Sequence, residues 1–142
     1  PVVIANAGDD DAIVNAAEEI IRWTTPVRHF LRYTTEATTV GGVEIPAGGR
    51  VLLSYPSANR DDEVFVDPMT FDVRRSDAEK LLSFGVGAHF CLGAQFARRE
   101  LRTMLDRLSQ ELVHVELAGD PEWAQSHFVS GVKHLPISYA MR

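Results

Sequence analysis

The 142-residue chain predicts a mixed α+β fold. Three observations carry that prediction. Two stretches, Ala12–Trp23 and the run AQFARRELRTMLDRL after Gly93, space their apolar residues as amphipathic helices do. Between them, a segment rich in Val, Thr, Tyr and Leu is broken by Gly41-Gly42 and by Pro46-Ala47-Gly48-Gly49, the punctuation of short strands and tight turns. An irregular stretch dense in Asn, Asp, Arg and Pro follows the strands. The expected arrangement is a long helix on each side of a set of short antiparallel strands, in one domain spanning 1–142.

The first helix begins after an acidic cluster. Asp9, Asp10 and Asp11 can accept from the free N–H groups of a helix start and suit its partial positive charge. Ile13, Ala16, Ala17, Ile20 and Ile21 follow helical spacing, and Pro26 limits the helix because the residue before a proline avoids the helical region. Glu19 and Arg22, three apart, are neighbours on its surface. An isolated pair of this kind is by default solvated and contributes about 0.2–0.5 kcal/mol.

After Pro26 the pattern gives three or four strands, with Val43–Ile45 and Val51–Leu53 flanking a hairpin turn. Asn59-Arg60-Asp61 and Asp67-Pro68 are turn and capping residues. The Asp-rich loop lacks the spacing of a calcium-binding EF-hand. Ser76–Leu82 connects to a glycine-rich loop, and the second helix follows with an apolar stripe of Ala97, Leu101, Met104, Leu105, Leu108 and Leu112. Arg98, Arg99, Arg102 and Arg107 lie off that stripe. They read first as a solvated face, with docking of an acidic partner as the alternative. The tail is broken by Gly119, Pro121 and Gly131 and reads as short strands.

Composition narrows the function classes. Hydrophobic content of 45% and charged content of 24% are those of a soluble globular chain, and a net charge of −6 argues against general nucleic-acid binding. One cysteine excludes an intrachain disulfide framework and fits a reducing, cytoplasmic setting. No apolar run approaches the roughly 20 residues needed to span a bilayer, and the N-terminus shows no signal-peptide pattern. One Cys with scattered His29, His89, His114, His127 and His134 does not supply a zinc site. A cysteine hydrolase needs a positioned base and an orienting group. His89, two residues from Cys91 in a turn, is poorly placed for that.

The stretch Phe84–Gly93, FGVGAHFCLG, concentrates the chemistry. It holds the only cysteine, Cys91, where a glycine-rich loop enters a helix. A helix N-terminus presents unpaired N–H groups and partial positive charge, which suit an anionic sulfur. The thiolate is the form that binds metals. Glycines allow a tight turn and close approach of a flat group.

Phe84, Gly87, His89, Cys91 and Gly93 fit the haem-binding signature FxxGx(H/R)xCxG, and the chain resembles the cytochrome P-450 monooxygenases. EEIIRW resembles the ExxR helix of that family, with Glu19 and Arg22 in the motif positions. The segment from Ala58 to Arg75 resembles its meander at Ala58, Asn59, Arg60, Asp61, Phe65, Asp67, Pro68, Phe71, Asp72 and Arg75. SHFVSGVKHLPISY resembles its C-terminal strand pair. The resemblance runs from about Ala12 to the C-terminus and implies the C-terminal part of a bacterial soluble member's α+β fold. The implied order is ExxR helix, short antiparallel strands, meander, cysteine loop, long helix and C-terminal strand pairs. Members are much longer. The distal helix that carries their oxygen-activating residues would precede Pro1, so the implied domain is incomplete.

The resemblance also implies roles. Cys91 would be the axial thiolate ligand of haem b, pushing electron density toward oxygen and favouring O–O cleavage. Phe84 would shield the sulfur, with Gly85 and Gly93 in the same loop. Arg32 and His89 would bind the haem propionates, since a guanidinium can clamp a carboxylate bidentately. An exposed strand arginine is the alternative for Arg32. Glu19, Arg22 and Arg75 would form a buried network, with Arg74 a nearby competitor for the third place. Arg28, Phe30, Phe128 and Val129 would edge the substrate pocket. Arg28 and Phe30 share a face if the strand is regular, solvent being the alternative for Arg28 and a core pair for Phe128 and Val129. The implied reaction inserts one oxygen atom of O2 into a C–H bond of a hydrophobic small molecule, a sterol or lipid by resemblance. Electrons would come ultimately from NAD(P)H through a ferredoxin-type donor. By the resemblance, no oxygen-activating catalytic residue is expected within this chain. The alternative is a truncated, non-catalytic remnant that at most binds haem.

Overall fold

The computed structural model describes residues 9–142; residues 1–8 of the expected domain lie outside the described residues. Helix α1 runs over Asp10–Thr24, slightly longer than its apolar spacing predicts. Asp9 is its cap, with Oδ1 accepting from the Ala12 N–H at 3.0 Å. Thr25 ends it in the left-handed region, φ 40°, just before Pro26.

Strands β1 (His29–Tyr33), β2 (Thr38–Val40), β3 (Val43–Ile45) and β4 (Arg50–Ser54) come next. Their pairing corrects the expected hairpin. Val43–Ile45 does not pair with the following strand: β3 pairs with β2, and β4 pairs with β1, with Arg32 opposite Val51. The physical reason lies in the turns. Gly41 and Gly42 sit at φ 57° and 80°, the geometry that favours a two-residue hairpin. The Pro46–Gly49 turn is instead folded onto Thr34, whose hydroxyl donates to the Pro46 carbonyl at 2.6 Å and whose N–H donates to Gly49 O at 3.0 Å. That returns the chain to the end of β1.

A single helical turn, α2 (Tyr55–Ala58), leads into the meander. A short 3₁₀ turn at Ala78–Lys80 and another at Gly87–His89 precede the long helix α3 (Ala94–Glu111). The tail supplies β5 (Leu112–Leu117), β6 (Glu122–Trp123), β7 (Val132–His134) and β8 (Ile137–Met141). Among the described residues the strands pair antiparallel in twos: β1–β4, β2–β3, β5–β8 and β6–β7.

The two long helices do not flank the strands. They pack against each other, with Ile13, Ala16, Ala17 and Leu105 buried together with Val73 of the meander and Ile20 and Leu101 at the margin. Of the predicted α3 stripe, Leu105 is buried, Met104 and Leu108 stay exposed, and Leu112 already belongs to β5. Among the described residues no helix is long and apolar enough to cross a membrane.

Candidate functional site

Cys91 sits at the end of a loop held by its own backbone. The Cys91 N–H donates to Phe84 O at 2.9 Å, closing the loop, and the Phe90 N–H donates to Gly87 O at 3.0 Å. Gly85 and Gly87 both have positive φ, 70° and 74°. A Cβ on Gly85 would also come within 3.1 Å of the Tyr55 hydroxyl. Glycine there satisfies both the turn and the close packing. Gly93 does something different: at φ −85° it caps α3, and a Cβ there would lie 3.9 Å from Cys91 Sγ. Its lack of a side chain keeps the space beside the sulfur open. Cys91 is a free, exposed thiol.

A cavity of about 310 Å³ opens beside that sulfur, lined by Val27, Phe30, Arg32, Tyr55, Ser83, Phe84, His89 and Cys91. Three regions converge on it: β1 and the residue Val27 just before it bring Phe30, Arg32 and Val27, α2 brings Tyr55, and the stretch from Ser83 to Cys91 brings the rest. Among the described residues Arg32 makes no ion pair. One N–H donates to the neighbouring Leu31 carbonyl at 3.1 Å, and the guanidinium lies 5.7 Å from the Phe30 ring centre. The cavity therefore combines an apolar wall, a thiol, an imidazole and a guanidinium without a carboxylate partner. Tyr55, Val27 and Ser83 are wall residues that sequence reasoning missed. They lack a motif of their own and reach the cavity only through the fold.

Of the four expected pocket residues, the structure separates one. Phe30 and Phe128 meet edge to face, ring centres 5.4 Å apart, and both are half-exposed, as is Val129, so Phe128 and Val129 are not a core pair. Val129 forms an isolated antiparallel bridge with Val27. Arg28 does not share a face with Phe30. It precedes β1, its N–H donates to Phe128 O at 2.9 Å, and it lines a different groove with Trp23, Arg60 and Trp123. The regular strand that would have placed Arg28 beside Phe30 begins one residue later.

Glu19, Arg22 and Arg75 lie together in the interior. Glu19 and Arg22 have no solvent exposure. Arg22 donates twice to the Glu19 carboxylate, at 2.6 and 2.9 Å, and Arg75 Nε lies 2.9 Å from the same carboxylate. Arg74 is exposed, its backbone N–H bound to Asp72. Arg22 also donates to the carbonyls of Asn59, Pro68 and Thr70, so α1 grips the meander at three points. Asp77, not anticipated from the sequence, is the second carboxylate partner of Arg75, at 2.8 Å. Burial alone would depress the Arg75 guanidinium, but the Asp77 hydrogen bond and the Glu19 charge outweigh it and raise its pKa. Burial alone would likewise raise Asp77, but the Val66 N–H and Arg75 hold its carboxyl below the usual range.

Asn59 links this network to the cysteine loop. Fully buried, its side chain accepts from the Leu82 N–H at 2.7 Å and donates to Ser83 Oγ at 2.8 Å and Thr25 Oγ1 at 3.0 Å. Its residue type reads as a plain turn former, and only the fold reveals the connection. Arg98 and Arg102 are a further correction. They are not a solvated face: both donate to Glu18, at 2.8 and 2.9 Å.

The family described as Cytochrome P450 has a sequence model that matches residues 13–136. The chain is 42% identical over 140 residues to cytochrome P450-terp of a Pseudomonas species, covering 98% of this chain and 32% of that protein. It is 41% identical over 124 residues to the steroid C26-monooxygenase of Mycolicibacterium smegmatis, covering 87% of this chain and 29% of that protein. The crystal structure of CYP108D1 from Novosphingobium aromaticivorans matches with a TM-score of 0.92 at 40% identity, over 99% of this chain and 34% of that one. The chain thus spans about a third of the length of the curated relatives it matches. Its α+β architecture, of two packed helices, paired short strands, meander and cysteine loop, is that of the C-terminal part of those folds, and the chain belongs to the cytochrome P450 family.

Proposed function

We propose that this chain supplies the thiolate side of a haem-thiolate monooxygenase site, with Cys91 as the axial ligand. The convergence of Cys91, Arg32 and His89 on one apolar-walled cavity carries the reading. The residues fit the group. Haem is a flat apolar ring with two carboxylates and an iron that takes an axial ligand. The cavity offers aromatic and aliphatic wall, a guanidinium without a carboxylate partner, an imidazole and an accessible sulfur. When bound, haem b supplies the one-electron and O2 chemistry that inserts an oxygen atom into a C–H bond.

The chain's own residues have separable tasks. Cys91 would hold the iron, with Phe84 on the same cavity wall. With no side chain at Gly93 beside the sulfur, the N–H groups of the residues that follow Cys91 would temper the thiolate charge. Arg32 and His89 would hold the propionates. Phe30, Phe128 and Val129 edge the substrate side, and their apolar character suits a hydrophobic small molecule; Arg28, in its separate groove, does not join them. The relative named steroid C26-monooxygenase supports the sterol class of substrate. Electrons come ultimately from NAD(P)H through a ferredoxin-type donor, and turnover by this chain alone is not expected.

Haem titration into the chain tests the reading. The ferrous–CO complex should show the thiolate-type Soret band, and Cys91→Ala should abolish it. Absence of haem uptake, or a band indifferent to Cys91→Ala, overturns the assignment.

A further inference from the structure

We propose that Glu18 and Arg98 are a positioning pair that clamps Phe84 and, through it, the Cys91 loop. The proposal rests on the reading of Cys91 as the iron ligand. Glu18 adjoins Glu19 on α1, but its buried carboxylate serves α3 and not the meander. Arg98 Nε donates to both of its oxygens, at 2.8 and 3.0 Å, and Arg102 adds a contact at 2.9 Å.

Fixed in that way, the Arg98 guanidinium lies 4.5 Å from the centre of the Phe84 ring. A cation over an aromatic face is held by the ring's quadrupole, more strongly where water is excluded. The Phe84 carbonyl in turn accepts the Cys91 N–H at 2.9 Å. One residue is thus gripped by its ring from α3 and tied by its backbone to the cysteine. Phe84 and Cys91 line the cavity, whereas Glu18 and Arg98 are not among its lining residues. The pair therefore acts on the site through Phe84. Removing the Glu18 carboxylate frees a long side chain whose charge prefers water, and the guanidinium leaves the ring.

Glu18→Gln, Arg98→Met and Arg102→Met in the full chain provide the test. In the haem-free chain, hydrogen exchange of the Cys91 N–H is followed by NMR. Exchange should accelerate about tenfold in Glu18→Gln and Arg98→Met, the factor expected from losing a partly desolvated cation–π contact. The double variant should be no faster than either single one. Arg102→Met, which leaves the Glu18–Arg98 bonds in place, should not change it. With haem bound, the ferrous–CO band should shift toward the thiol-type position in the first two variants and not in Arg102→Met. Unchanged exchange and band in Glu18→Gln and Arg98→Met overturn the clamp. So does an equal effect of Arg102→Met, which would indicate general loosening of the helix pair. If the chain takes up no haem, the ligand reading fails while the exchange measurement still decides the clamp.

Discussion

Glu19 is the residue on which the interior depends most directly, because two guanidinium groups face one carboxylate that is buried from solvent. Removing one partner of a buried pair leaves the other charge uncompensated, which costs about 3–5 kcal/mol. Glu19→Ala should destabilise the chain by that amount in urea unfolding. A loss under about 0.5 kcal/mol, the size of a surface pair, would contradict the burial. The same network makes stability pH-dependent. Asp77 has its folded pKa held below the unfolded value by Val66 and Arg75. Its contribution is therefore fully present above the unfolded value of about 3.9 and is lost as pH falls through the lower folded value. Stability measured down through that range should fall more shallowly in Asp77→Asn, which has no proton to take up. An unchanged slope would remove Asp77 from the account.

At the scale of elements, the joint between meander and cysteine loop turns on Asn59. Asn59→Ala would strand the Leu82 N–H and leave Ser83 and Thr25 without their shared partner. A buried donor left unsatisfied costs about 1–3 kcal/mol. The expected signature is that loss together with selectively faster amide exchange at Leu82; uniform faster exchange would mean only global destabilisation. Local features of these elements were legible in the sequence. The capped start of α1, its stop before Pro26 and the Gly41-Gly42 turn each depend on a few adjacent residues. The pairing of β3 was not, because hydrogen bonds from Thr34 to the distant Pro46–Gly49 turn decide it. The Glu19, Arg22 and Arg75 cluster was legible only as spaced motifs. The roles of Glu18 and Arg98 were hidden altogether, since an arginine off an apolar stripe looks the same whether it meets water or a carboxylate eighty positions away.

The whole molecule holds its interior with polar groups as much as apolar ones. Glu18, Glu19, Arg22, Asn59, Arg75 and Asp77 are all buried, while many large apolar side chains are not. Leu31, Tyr33 and Leu52 are exposed on the β1–β4 pair, and Val86, Phe90, Leu92 and Phe96 are exposed around Cys91. Contiguous apolar surface of this kind marks an interaction face on a monomer. Relatives about three times as long have more chain with which to cover such a face. Alone at high concentration, the chain should therefore self-associate, and sedimentation velocity should show the weight-average coefficient rising with concentration. The driving force identifies itself by its dependences. Association through apolar surface weakens on cooling and strengthens with sulfate, whereas association through charge is screened by salt. Replacing Val86, Leu92 and Phe96 together by serine should lower association without lowering the unfolding midpoint, because these side chains are already in water. A chain that stays monomeric at every concentration, or that dissociates on adding sodium chloride, would show that the exposed apolar faces do not govern its behaviour.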